Sequence, residues 1–504
     1  MSLTNNPKEF FQWLETATEG TLFSFISEWH TRGETSEELI RFIEFLREKA
    51  PPLKLKNAEI GVSVQPQFGR VAKRTSSRLR RTNDRSVPSV HEDHEDDENA
   101  EIGVLLHAQL AYDCAGTGGD KSHSFNISTG TAFLAAYAGL PVIKNGGRSA
   151  SSKVGSVDVL YELGLDLDIS EEKKIEAFHK LGLSFFSSKI SSEYLLPVKN
   201  LAKKYKESCF INLIAPFLSP IELQGQIIGI AQARWIPVIK EIAKYFIKQG
   251  YRQKFILVHS SEEFLENPPE GTVTERTSSR LRRTNDRSVR VISGDAEDAS
   301  HVNGSYPSKQ KYKLDSSSLH EDHEDDENAE IGVRQQCPVA ERTSSVLDEF
   351  NTAQPSKIIF ISNLSIKNES VHEDHENNEN AEIIIPQKYH EQEFTLNPRS
   401  ESFSELALTA ARLKDLEGGN TEENSQILLK IFTGEAKNST LKIKAETLAL
   451  NTALMLLLKE DFSLFYDEKS LVKELKRNYL ELKKILETQN LHEFLGELRK
   501  YFTK

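Results

Sequence analysis

The sequence predicts an α/β fold, on three observations. Short apolar runs alternate with small-residue loops and helical stretches between Leu110 and Gly164. Amphipathic helical spacing fills residues 1–50. Leu and Phe at three- and four-residue spacing return from Asn451 to Phe502. Strand-to-helix alternation around a parallel sheet, with helices gathered before and after it, accounts for all three.

Each element has a local reason. Thr35 and Glu38 form a capping box ahead of Leu39, Phe42, Ile43 and Leu46, which share one helical face. Leu110–Cys114 reads as a short buried strand that ends in the loop Gly116–Asp120. Ser128 or Thr129 is placed to cap a helix through Ala132–Tyr137, with Gly139 ending it and Pro141 following. Pro141–Lys144 is the next strand, with Lys144 at its C-terminal end. The loop 145–156 then feeds a helix through Val157–Leu163, closed by Gly164.

The three loops Gly116–Asp120, Phe125–Thr129 and Lys144–Lys153 follow one another in this region. Glycine lets backbone N–H groups approach an anion, and a helix start adds a favourable dipole. Alone, a Gly-Thr-Gly-Gly-Asp run is more often an ordinary turn, and serines near Lys153 read equally as a solvated loop. Three such loops in order point to a ligand with several phosphates, bound where strands end at their carboxyl edge.

The same residues resemble the anthranilate phosphoribosyltransferase family, of the glycosyltransferase family 3, nucleoside-phosphorylase-like type. The family's Gly-Thr-Gly-Gly-Asp loop, Asn-Ile-Ser-Thr segment and Lys-to-Ser stretch appear here as Gly116–Asp120, Asn126–Thr129 and Lys144–Ser156. Weaker similarity lies at Arg32–Glu38, at Asn212–Pro220, and at Glu423-Asn424 and Gly434–Asn451. The resemblance implies a small N-terminal helical domain plus a larger domain with a central sheet wrapped by helices. It also implies pairing of subunits into a homodimer through the helical domain.

The activity it implies is phosphoribosyl transfer from phosphoribosyl pyrophosphate to anthranilate in tryptophan biosynthesis, with Mg2+ as cofactor. Mg2+ would neutralise the departing pyrophosphate. By the resemblance the donor site is Gly116, Thr117, Gly118, Gly119, Asp120, Ser124, Asn126, Ile127, Ser128, Thr129, Lys144, Ser152 and Ser156. The acceptor site is Gly116, Asn145, Gly147 and either Lys199 or Ala202, and the metal ligands are Ser128 with Glu262, Glu263 or Glu266.

The chain departs from the family on the acceptor side. The family's His after the strand lysine is Asn145, and its next Asn is Gly147. Its anthranilate-binding Arg falls on Ala202 without gaps, or on Lys199 with a three-residue shift. A lysine does not reproduce the planar fork that Arg offers a carboxylate. The acidic pair after the Val-His turn is Glu262-Glu263 in one gapping and Leu265-Glu266 in another. The donor half matches, and the acceptor half is altered.

Internal repetition is the second feature. Arg74–Val87 recurs identically at 276–289, and His91–Val104 recurs at 320–333 and nearly so at 372–384. The copies are near-identical, unevenly spaced and almost free of apolar residues, unlike folded repeats. Such segments bury too little surface to offset chain entropy, so 55–107 and 274–385 are expected to be disordered insertions, with a strand near 357–361 between them. The expected catalytic domain is then 108–273 and 386–504, with 1–54 part of the helical domain and the helices around 192–206 joining it. His91, His94, His320, His323, His372 and His375 sit among acids, but no Cys joins them there, and a solvated charge run is the simpler reading.

The net charge is −13, and the repeats carry most of it. The body between them is nearly neutral, which argues against nucleic acid as a partner. Without the insertions about 340 residues remain, enough for a sizeable core. Cys114, Cys209 and Cys337 make no disulfide framework, no apolar run is long enough to span a bilayer, and the start has no signal pattern, so a cytoplasmic enzyme is expected. The alternatives are transfer to another aromatic or heterocyclic acceptor, and a non-catalytic relative that binds nucleic acid or a partner.

Overall fold

The strands form one sheet in the order β3-β2-β1-β4-β5-β6-β7. They span β1 Tyr112–Gly116, β2 Val142–Gly146, β3 Leu183–Ser187, β4 Gly225–Gly229, β5 Lys254–Ser260, β6 Ser356–Asn363 and β7 Tyr389–Leu396. Strands β1 to β5 are mutually parallel where they pair, and β6 and β7 join antiparallel. The computed structural model describes residues 3–53, 55, 111–118, 123–146, 155–187, 194–205, 209–260, 354–363, 389–409 and 411–503. All of them belong to one compact unit, 1–268 with 343–504.

Helices α1 Pro7–Leu14, α2 Glu19–Arg32 and α3 Ser36–Lys49 precede the sheet. Helices α4 Ile127–Tyr137, α5 Ser156–Glu162, α6 Glu171–Leu181, α7 Leu196–Tyr205, α8 Phe210–Ile214 and α9 Ile236–Lys248 lie between the parallel strands. Helices α10 Thr421–Phe432, α11 Ser439–Leu456, α12 Glu468–Leu486 and α13 Asn490–Arg499 follow β7.

The sheet is buried on both faces, as parallel strands require. In β5, Ile256 and Val258 join one apolar cluster, and Phe255 and Leu257 join the other. β6 repeats the pattern, with Ile358 and Phe360 on the first side and Ile359 and Ile361 on the second. The first cluster is closed by α4 and α10 to α13. The second is closed by α1 to α3 and α7 to α9.

The capping box on α3 forms as the spacing requires. Glu38 N donates to Thr35 Oγ1 at 3.3 Å, and Thr35 N donates to Glu38 Oε2 at 3.1 Å. Trp29 Nε1 and Arg32 Nη2 also donate to Glu38, at 3.2 and 2.7 Å. Trp29 stacks on Phe210 with ring centroids 4.6 Å apart, and Phe42 meets the same ring at 5.3 Å. Aromatic pairs of this kind add about 0.5–1.5 kcal/mol each beyond area burial. The N-terminal helices thereby fix α8.

Three local expectations shift. The strand expected to end at Lys144 runs on to Gly146, and the one expected from Leu110 starts at Tyr112. The α4 cap is Asn126, not Ser128 or Thr129. Both of those residues already lie in the helix, whose first turn closes when Gly130 N donates to Asn126 O at 3.1 Å. The repeats at 74–87, 91–104, 276–289, 320–333 and 372–384, with their histidines, lie outside the described residues. β6 includes the 357–361 segment.

Candidate active site

The order of the sheet reverses between β1 and β4, and that is where α/β sheets open a crevice at the carboxyl ends of their strands. Gly116 ends β1 opposite Gly229 of β4. Thr117 N donates to Gly229 O at 2.8 Å, and Ala231 N donates to Thr117 Oγ1 at 3.0 Å. Gly118 then turns at φ +65°, a left-handed conformation that favours glycine. From the other side, Asn212 on α8 donates through Nδ2 to Thr117 O at 2.9 Å. Its Oδ1 accepts from Cys209 N at 3.0 Å. The turn Gly116–Gly118 is therefore held on both flanks.

The start of α4 lies beside β1 and β2. Asn126 Oδ1 and Thr129 Oγ1 are buried there without a hydrogen-bond partner among the described residues. Orphaned buried oxygens are costly, and a ligand is one means of satisfying them. Lys144, on β2, is 2% exposed. Its ammonium donates to Cys114 O at 2.7 Å and to Ser128 Oγ at 3.2 Å, tying β2 to β1 and to α4. Ser124 forms an antiparallel bridge with Glu417. Ser156 opens α5, and a Cβ placed on Gly146 would lie 3.5 Å from its own Cβ, so the end of β2 and the start of α5 adjoin.

Beneath this edge lies a buried polar chain. Gln226 Nε2 donates to Asp113 Oδ2 at 3.0 Å and to Pro216 O at 2.8 Å, and Arg252 Nη1 donates to Gln226 Oε1 at 2.7 Å. Burial pushes the Asp113 carboxyl up, with Lys144 and Arg252 acting against it. Burial likewise pulls the Arg252 guanidinium down, with Asp113 opposing. The Arg252 guanidinium sits 5.0 Å from the Phe246 ring centroid and 5.6 Å from that of Phe255, which partly replaces lost hydration.

The structure thus gathers Gly116, Thr117, Gly118, Ser124, Asn126, Ile127, Ser128, Thr129, Lys144 and Ser156 at the carboxyl edge of the sheet. Gly119, Asp120, Gly147, Ser152, Glu262, Glu263 and Glu266 lie outside the described residues. β5 delivers the chain to the acids: buried His259 donates through Nδ1 to Ile230 O at 2.7 Å, just before Ser260 ends the strand.

The residues that the resemblance assigns to the acceptor make fewer side-chain hydrogen bonds among the described residues. Asn145, on β2, donates to Leu218 O at 3.3 Å, while its buried Oδ1 has no partner among the described residues. Lys199 is half-buried on α7, and burial pulls its ammonium down, countered by Cys209. The Cys209 thiol, at the start of α8, is pushed up to about 12, chiefly by burial. Ala202 lies on α7, with its side chain outside the described residues. The sequence reading assigned no role to Asn212, although it lay in a noted motif, nor to Gln226, Arg252 or Lys444. Gln226 and Arg252 belong to no motif, Lys444 falls within the 434–451 similarity without a role, and the partners of all three are distant in the chain.

Comparison with known proteins agrees with this geometry. Residues 108–284 match the model of the glycosyl transferase family, a/b domain. An anthranilate phosphoribosyltransferase of Prochlorococcus marinus is 43% identical over 121 residues, 24% of this chain and 35% of that protein. One from Listeria welshimeri is 37% identical over 156 residues, 31% of this chain and 45% of that protein. The matched stretch is under half of each relative's length. The crystal structure of anthranilate phosphoribosyltransferase from Thermus thermophilus shares the fold, at TM-score 0.51 and 17% identity, over 98% of this chain and 94% of that one. Residues 108–284 thus match the glycosyl transferase family a/b domain, and the chain is similar over part of its length to anthranilate phosphoribosyltransferases.

Proposed function

We propose that this protein transfers a phosphoribosyl group from phosphoribosyl pyrophosphate to anthranilate, in tryptophan biosynthesis. One observation carries the reading: the Gly118 turn, the start of α4 and the buried Lys144 ammonium converge at the switch point of the sheet. The family model matches residues 108–284, which include these elements.

In the reaction the amine nitrogen of anthranilate bonds to the sugar carbon. The carbon–oxygen bond to pyrophosphate breaks, its electron pair leaves with pyrophosphate, and the amine loses a proton. An aromatic amine is largely unprotonated near neutral pH, so the main task is to hold the donor and receive its negative charge. The Gly116–Gly118 turn and the α4 start supply backbone dipoles, and Lys144 sets the Ser128 hydroxyl. Ser128 Oγ, which the resemblance assigns to the metal, would offer Mg2+ a hard oxygen of the kind it takes together with substrate phosphates. Bound Mg2+ supplies charge neutralisation for the pyrophosphate.

The protein acts in the cytoplasm as a homodimer in this reading. Buried Cys114 and Cys209 form no disulfide among the described residues, which supports a reducing compartment, and the family resemblance supports the dimer. Among the described residues no helix is long and apolar enough to cross a membrane. Pyrophosphate release from phosphoribosyl pyrophosphate and Mg2+, with and without anthranilate, tests the activity. Anthranilate-dependent release is expected. Donor binding without anthranilate-dependent turnover would contradict the acceptor and shift the search to other aromatic amines.

A further inference from the structure

The segment that leads into α4 is held by a strip far away in the chain. Gly418 N donates to His123 O at 2.8 Å, and Phe125 N donates to Leu416 O at 3.0 Å. With the Ser124–Glu417 bridge, these bonds make a short antiparallel ladder between 123–125 and 416–418. The approach is close. A Cβ at Gly418 would come 2.9 Å from Phe125 Cα and 2.2 Å from Asn424 Oδ1. His123 itself turns at φ +52°, so the ladder holds it in a sparsely populated conformation.

One side chain holds the strip. Lys444, on α11, is 3% exposed, and its ammonium donates to Asp415 O and to Glu417 O, each at 2.7 Å. The same ammonium lies 5.4 Å from the Phe125 ring centroid. It therefore grips two carbonyls of the strip and faces the Phe125 ring of the segment that the strip supports. A buried lysine costs desolvation that an apolar residue in α11 would not, so stability alone does not account for it. Burial pulls this ammonium down to about 8, with Asp415 and Glu417 opposing.

We propose that Lys444 is a positioning residue for the donor site: by clamping the carbonyls of Asp415 and Glu417 it sets the ladder that fixes His123–Phe125 and hence the start of α4. The proposal rests on the phosphoribosyl pyrophosphate reading for its effect on activity, but its structural part is independent of it.

The test compares full-length wild type with Lys444→Met, which keeps the stem and removes the donors, and with Lys444→Arg, which keeps a cation. Amide hydrogen exchange is followed in peptides covering 123–129 and, as reference, in β5 and β6. The expected result is at least about tenfold faster exchange at 123–129 in Lys444→Met with the reference unchanged. In kinetics the KM for phosphoribosyl pyrophosphate rises about tenfold while that for anthranilate stays within about twofold, and Lys444→Arg recovers part of the loss. Uniformly faster exchange, or an unchanged donor KM in an active enzyme, overturns the proposal. If wild type binds no phosphoribosyl pyrophosphate, the functional reading fails, and the exchange pattern alone still decides the clamp. If Lys444→Met does not fold, Gly418→Ala pushes the ladder apart from the other side and must give the same local signature.

Discussion

The two sides of the candidate site are built by different means. On the proposed donor side, Thr117 is bonded from β4 and from α8, and Lys144 is bonded to β1 and to α4. On the proposed acceptor side, Asn145 makes one long side-chain bond, and Lys199 is only half-buried. Phosphates carry fixed charge and need a cradle that does not reorganise as charge develops. A small aromatic acid needs few contacts, so substitutions there disturb less of the fold. That difference fits a resemblance that is complete on the proposed donor side and altered on the proposed acceptor side.

The largest test of this contrast is Lys144→Met. We predict at least about a hundredfold slower pyrophosphate release, because Ser128 loses its fixed donor and the buried ammonium on β2 is removed. Anthranilate KM should barely change, and an equal rise in both KM values in steady-state kinetics would erase the contrast.

Asn212→Ala should act on the same side with less force. Thr117 O loses its donor from α8, and we predict a donor KM about tenfold higher, read by calorimetric titration with phosphoribosyl pyrophosphate. Tighter or unchanged binding would show that the Gly116–Gly118 turn does not depend on α8.

Asn145→His sharpens the other side. Restoring the residue type of the resembling family should lower anthranilate KM about threefold and leave the donor KM alone. An altered donor KM would mean that position 145 serves both sides.

Glu38→Gln is the control away from both. Burial acts to raise this carboxyl, but hydrogen bonds from Thr4, Thr35 and Arg32 outweigh it and hold it below its ordinary 4.5. A folded-state value depressed in this way contributes stability above pH 4.5, lost as pH falls through the folded value. We predict a loss of about 1 kcal/mol near neutral pH, with the difference in Tm between wild type and variant closing in acid and KM values unchanged.

Local chemistry made much of this legible from the residues alone. The Thr35–Glu38 box, β2, α4 and Gly139 at its end follow from capping and periodicity within a few residues. The α4 cap is ambiguous in the sequence because three nearby residues, Asn126, Ser128 and Thr129, all have capping chemistry; backbone geometry chooses Asn126, while Ser128 Oγ accepts from Lys144. The run 357–361 reads as a strand, but nothing in it says that it lies antiparallel between β5 and β7. The Asp113–Gln226–Arg252 chain and the Lys444 clamp were illegible for the same reason. Their partners meet only through the fold, and Lys444 bonds to carbonyls, which carry no side-chain signal.

The most direct measurement is calorimetric titration of wild type and Lys144→Met with phosphoribosyl pyrophosphate and Mg2+, in the absence of anthranilate. A complete donor side predicts saturable binding to wild type, weakened at least about tenfold in the variant. No binding to wild type, or equal binding to both proteins, would contradict it.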